Sequence, residues 1–306
     1  SDSNSDNVVG ICPLGPQLRQ AVADVLALEH IQNNNQDLSR DPVALRELQD
    51  RLVAAQLVEN ELVNSILEHP EDSTWYWKGK PLTHTSHSIN NKRMFQAALS
   101  EVMSEVYCSS PIVRNELINR DKPSAQANAA RNKLLDALIN QSEKETLGIE
   151  KNPPEKAIYD AIFKESGLHK KVKGKWTYQE PTTNDKLNFS PFLKEIYRYY
   201  EGSESAPRSF DDLTEILVSP PYGLKHGLLP IIYVFTFLRH QNDLALYENR
   251  IYIPYLTFEI IGRFVKRPQD FTVQRFQIKG LRRSIFQEYS TALFEDQTQA
   301  KDIISI

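Results

Sequence analysis

Leu228-Leu229-Pro230-Ile231-Ile232-Tyr233-Val234-Phe235-Thr236-Phe237-Leu238 carries apolar groups on every side at helical spacing. Such a segment is expected to be a helix buried all round. Its 11 residues fall well short of the roughly 20 needed to cross a bilayer. A chain that hides this helix must have a sizeable core, and the neighbouring segments have to supply it.

Downstream, residues 244–247 and 250–253 alternate as a hairpin across Glu248-Asn249, followed by a helix over 256–266 and a strand over 272–276. Upstream, Pro220-Pro221-Tyr222-Gly223 turns the chain into the apolar helix, after helices at 189–200 and 210–218. Before them, 168–172 and 175–178 read as two strands around the tight turn Lys173-Gly174. Pro153-Pro154-Glu155 starts a helix with Ile158, Ile162 and Phe163 inward, and Gly167 stops it. Lys122-Pro123-Ser124 opens an alanine-rich helix ending near Asn140, and a helix at 91–107 and a short one at 111–119 are expected before it. Residues 75–83 form a short hairpin with Lys78-Gly79 at its turn.

Nearer the start, Leu18, Val22, Val25, Leu26 and Leu28 predict a helix over 17–31. Asp41-Pro42 begins a second helix running to about residue 67, with Asp41 accepting free N–H groups and Pro42 at the first helical position. The expected fold is therefore mainly α with small β-hairpins. Helices followed by a hairpin, met twice, suggest tandem degenerate winged-helix-like units behind a helical hairpin. Shared element order without sequence self-similarity is weak ground for duplication. Three segments follow: 1–74, a polar tail and helical hairpin; 75–187, a helical domain with a winged-helix-like hairpin; and 188–306, a second such domain holding the apolar helix.

The chain has 306 residues, 40% hydrophobic and 25% charged, with a formal net charge of −4. That balance argues against wholesale coating of nucleic acid and permits a local basic face. Cys12 and Cys108 make neither a disulfide framework nor a metal pattern, so a reducing cytoplasm is the expected location. Neither a secretory signal nor a membrane span is apparent, and no membrane partner is expected. The polar opening Ser1 to Asn7 and the apolar stop Ile303-Ile304-Ser305-Ile306 read as the ends of a piece cut from a longer polypeptide, with a processed terminus as the rival.

Chemistry is hard to find. His84 and His87 offer two metal ligands without a second pair. His226 and His240 flank the apolar helix and read as structural histidines. The sequence contains no phosphate-cradling loop of the Gly-x-x-x-x-Gly-Lys type and no Gly-x-Ser-x-Gly elbow. Catalytic residues, metal and cofactor are accordingly not expected in this chain.

Two basic clusters remain. Lys170, Lys171, Lys173 and Lys175, interleaved with His169 and Trp176, lie on the first strong hairpin. Lysines on such a wing can lie against phosphates, although they also commonly guard strand edges. Arg263, Lys266, Arg267, Arg275, Lys279, Arg282 and Arg283 form the second, with Asp270 the only acid between Arg263 and Arg283. It is the better candidate for a DNA or acidic-partner surface. The apolar helix takes the place of a winged-helix recognition helix, so contact is expected through phosphates and not base edges.

Several ordered motifs add a resemblance. They are 111–120 (Pro-Ile-Val-Arg-Asn-Glu-Leu-Ile-Asn-Arg), Leu147-Gly148-Ile149-Glu150 with 153–159, Ser166-Gly167-Leu168-His169, 220–230, and Leu244-Ala245-Leu246-Tyr247-Glu248. Together, over roughly residues 75–276, they resemble the helical region downstream of the ATPase module in large prokaryotic P-loop ATPases of phage-defence islands, with the BREX-type ATPase as nearest named relative. The resemblance implies a parent that hydrolyses ATP through a module outside this chain. It implies for this chain a non-catalytic region coupling nucleotide state to DNA, to other defence-system proteins or to the rest of the parent. The family's phosphate-binding residues have no counterparts here. Asn115, Glu116, Asn119 and Arg120 match its Asn-Glu-Leu-Ile-Asn-Arg signature, where capping and cross-linking are as well supported as a functional role.

Overall fold

The computed structural model describes residues 7–35 and 41–276. It is mainly helical with small antiparallel sheets, and the chain divides into two compact units after Val106.

The first unit contains β1 (Val8–Ile11), α1 (Gly15–Asn34), α2 (Pro42–Glu68), β2 (Thr74–Trp77), β3 (Lys80–Pro81), β4 (Thr83–His84), β5 (His87–Ser88) and α3 (Lys92–Val106). Asp41 caps α2 as expected: its Oδ1 accepts from the Val43 and Ala44 N–H groups at 3.0 and 3.1 Å. The expected hairpin at 75–83 is present as β2 and β3, and β1 joins it in the order β1-β2-β3. Nothing in the short run Val8-Val9 announces β1; its partner lies more than 60 residues away, with Val8 opposite Trp77. Gly10 is required in that pairing, because a Cβ there would stand 2.6 Å from the Trp75 ring. A small core of Leu82, Phe95, Ala98 and Val102 lies beside it, with the Trp75 and Phe95 rings 4.3 Å apart.

The second unit contains α4 (Ala125–Asn140), α5 (Pro154–Tyr159) continuing into a π turn (Asp160–Lys164), β6 (His169–Val172), β7 (Lys175–Tyr178), α6 (Ser190–Glu201), β8 (Arg208–Ser209), α7 (Phe210–Val218), α8 (Leu229–Arg239), β9 (Leu244–Glu248), β10 (Ile251–Ile253), α9 (Phe258–Lys266) and β11 (Phe271–Arg275). Ser124 caps α4, accepting from the Ala127 N–H at 3.2 Å. The apolar stretch is α8, and Leu229 to Thr236 are all buried. Ile158, Ile162 and Phe163 are wholly buried, as their spacing predicts.

One expectation changes. The helix at 111–119 does not form; the segment is a series of turns. Asn115 Oδ1 accepts from the Leu117 N–H at 3.0 Å and Asn119 donates to the Val113 carbonyl at 3.3 Å, so side chains offer the backbone an alternative to the helical ladder. One cluster of buried side chains runs from Val113 to Val273, across residues 187 and 188, and the boundary between the two compact units lies after Val106. The strand expected at 272–276 forms as β11, which inserts between β9 and β8 to give the order β10-β9-β11-β8.

Backbone contact locks the loop ahead of α8. Gly227 donates to the Arg120 carbonyl at 2.9 Å, and a Cβ there would run into the Ile118 carbonyl. Among the described residues no helix is long and apolar enough to cross a membrane.

Candidate polyanion-contact surface

The β6–β7 hairpin stands on a buried aromatic base. His169 pairs across the ladder with Tyr178, and Lys171 with Trp176. His169 is buried, and its Nε2 lies 2.8 Å from the Ser142 carbonyl and its Nδ1 2.9 Å from the Tyr159 hydroxyl. The carbonyl can only accept, so Nε2 carries the proton and Nδ1 accepts from Tyr159. Burial pushes the His169 pKa down, the Ser142 contact opposing it. Burial pushes Tyr159 up to about 12. Tyr178 donates to the Leu138 carbonyl at 2.5 Å, tying the hairpin to α4.

That base leaves the lysines outside. Lys171, Lys173 and Lys175 are exposed and Lys170 is half-buried. Lys173 and Gly174 form the turn, both at positive φ, a geometry that suits a two-residue hairpin loop. None of the four lysines forms an ion pair among the described residues. Trp176 is half-buried, its ring centroid 5.2 Å from that of His169.

The second basic cluster is arranged differently. Arg263 on α9 makes two bonds to the Glu248 carboxylate on β9, at 2.7 and 2.8 Å. Those bonds hold the Glu248 carboxyl below its ordinary range. Arg267 pairs with Asp270 at 3.0 Å, and Arg275 with Glu201 at 3.2 Å and Glu204 at 3.8 Å. Lys266 is exposed at the end of α9. Arg282, Arg283 and Lys279 lie outside the described residues. Asp270 is the only acid in the linear interval, yet folding brings Glu248, Glu201 and Glu204 to these arginines. Most of the described charge in this cluster is thus balanced internally.

The histidine pairs do not converge on new chemistry. His84 lies across the β4–β5 ladder from His87, but its Nδ1 lies 2.9 Å from Glu101, and the Nδ1 of His87 donates to the Thr85 carbonyl at 2.7 Å. His226 and His240 sit at opposite ends of α8, whose 11 residues span about 16 Å. In the signature segment, Asn115 and Asn119 brace turns, and Arg120 pairs with Glu116 at 3.3 Å.

Sequence reasoning missed Arg131, a guanidinium buried on α4 beside a cavity. An arginine within an alanine-rich helix gives no signal of burial. Comparison of the chain with protein-family models, curated proteins and solved structures returned no match.

Proposed function

We propose that this chain is a non-catalytic interaction and coupling region of a large phage-defence P-loop ATPase, meeting DNA through the phosphate backbone. The β6–β7 hairpin is the contact surface. One observation carries the reading: four lysines surround the hairpin tip without an acidic partner among the described residues, whereas Arg263, Arg267 and Arg275 are each paired. Charge that is not spent within the fold is available to an outside polyanion.

Two further observations support it. The elements α6, β8, α7, α8, β9 and β10 follow the order helix, strand, helix, helix, strand, strand, the order of a winged-helix-like unit. The helix in the recognition position, α8, is buried, which leaves phosphates and not base edges as the target. The ordered motifs described above supply the link to the defence ATPases and to a nucleotide-binding module outside this chain.

Fluorescence-anisotropy titration of a DNA duplex at several salt concentrations tests the contact. Affinity is expected to fall as salt rises, and K170E/K171E/K173E/K175E is expected to flatten the log–log slope by about 3.6 if each lysine meets one phosphate. R263E/K266E/R267E should change the slope much less. Salt-independent binding, or none, removes the DNA reading and leaves the lysines as guards of a strand edge. ATP turnover by the purified chain would contradict the non-catalytic part.

A further inference from the structure

We propose that a cavity walled by α4, α7, α8 and α9 is a binding site for a small organic carboxylate, held by Arg131. This site is separate from the lysine hairpin and does not depend on it. Arg131 is 7% exposed. Arginine is rarely buried to this degree without a partner, because an uncompensated buried charge is strongly unfavourable. Among the described residues its Nε is closed off without a hydrogen-bond partner, and no described carboxylate lies within ion-pair distance of the guanidinium. The side chain lines a cavity of about 220 Å³.

The charge balance of the cavity favours an anion. Among the described residues Asp121 is the one acid on its wall, and it is already engaged. Its carboxylate accepts from Lys225 Nζ at 3.1 Å. Burial raises its pKa, but the bonds from Lys225 and from the His226 backbone N–H outweigh this and hold it below the ordinary range. Asp121 and Lys225 cancel, leaving the Arg131 charge. Leu229 and Pro230, in the first turn of α8, also line the cavity, so the positive end of that helix dipole adds in the same sense.

Chemistry and size narrow the ligand. Thr214 donates to the Phe210 carbonyl at 2.8 Å, so the Tyr233 hydroxyl donates to Thr214 Oγ1, 2.9 Å away. Both protons are spent within the protein, and burial raises the Tyr233 pKa so that it stays neutral. Arg131 is left with its planar fork of donors. That fork matches the two oxygens of one carboxylate, and among the described residues no second guanidinium is on the wall to favour a dianionic phosphate. Phe264 and Val265 supply apolar wall, suited to a hydrocarbon or aromatic body. The volume lies below the roughly 300–1,000 Å³ of sites for drug-sized molecules, so the ligand is a small one.

Calorimetric titration of the purified chain with phenylacetate, phenylacetamide and phenyl phosphate tests the assignment. Phenylacetate is expected to bind saturably and at least about tenfold more tightly than the neutral amide, since a charged hydrogen-bonded pair contributes that much or more. Arg131→Met, which keeps the volume and removes the charge, should abolish this preference. Val265→Phe keeps Arg131 and should block the cavity, so it decides the matter if the methionine variant does not fold. Absence of saturable phenylacetate binding, equal binding of acid and amide, binding undiminished by either variant, or binding of phenyl phosphate alone would each overturn the proposal.

Discussion

Both α2 in the first unit and α8 in the second are rich in leucine, isoleucine and valine, yet they are buried to opposite extents. Eight of the 11 residues of α8 are buried, against two of the 27 in α2, Leu48 and Ile66. In α2, Val43, Val53, Leu57 and Val58 are each more than half exposed. A helix packed mainly against one neighbour, as α2 is against α1, can cover only one stripe of its surface. A helix surrounded by other helices and a sheet is covered on every side. Apolar content therefore does not measure burial; the number of packed neighbours does.

That contrast can be tested by substitution and exchange. Phe235 on α8 meets the rings of Phe163 and Tyr178 at centroid separations of 5.5 Å. Phe235→Ala is expected to cost about 3–5 kcal/mol in denaturant unfolding, and a loss below about 1 kcal/mol would show that α8 is not the centre of its unit. Gly227→Ala comes next, at about 1–3 kcal/mol, because the added methyl meets a backbone carbonyl that cannot rotate away. Gly10→Ala in the first unit should also destabilise, since its methyl meets the Trp75 ring, a side chain held by Phe95 and by the Pro70 carbonyl.

His169 makes the second unit sensitive to acid. Its folded pKa is depressed below the ordinary 6.5 by burial, so the unfolded chain takes up the proton first. Its contribution to stability is therefore complete above about pH 6.5 and is lost as pH falls from there through the folded value. His169→Gln should flatten the acid limb of stability against pH. Some slope should remain, because burial and then Arg239 also depress His240. An unchanged limb would remove His169 as a cause.

Smaller effects belong to the first unit. Asp41→Ala should cost about 1 kcal/mol by removing the cap of α2, and an effect near zero would mean that the α2 terminus frays. Leu57→Gln, at a site 60% exposed, should lie within about 0.5 kcal/mol of the parent. Hydrogen exchange checks the comparison without mutation: amides of α8 should be protected to the global limit, while those of α1 and α2 exchange earlier.

Much of the fold is legible because its signals are local. The Asp41 cap, the Ser124 start of α4, the Lys173-Gly174 turn and the long apolar run of α8 each draw on residues within one or two turns of chain. Local chemistry also explains a failure, since Asn115 and Asn119 bond to the backbone and turn a helix-like pattern at 111–119 into bends. The candidate surfaces were less legible. Basic residues can be counted along the chain, but whether each cation is free depends on distant acids. Arg263 meets Glu248 from another element, and Arg275 meets Glu201, which reverses the order of preference between the two clusters.

By itself the amino-acid order determined that this is a mainly helical protein with small hairpins, which segment forms the heart of its core, and where most helices start. Backbone hydrogen bonding and apolar periodicity act over a few residues and can be read there. Tertiary structure decided that β1 and β11 join strands distant along the chain, that among the described residues the arginines of α9 and β11 are paired while the hairpin lysines are not, and that Arg131 is enclosed beside a cavity. Charge pairing and burial depend on distances across space, which separation along the chain does not encode.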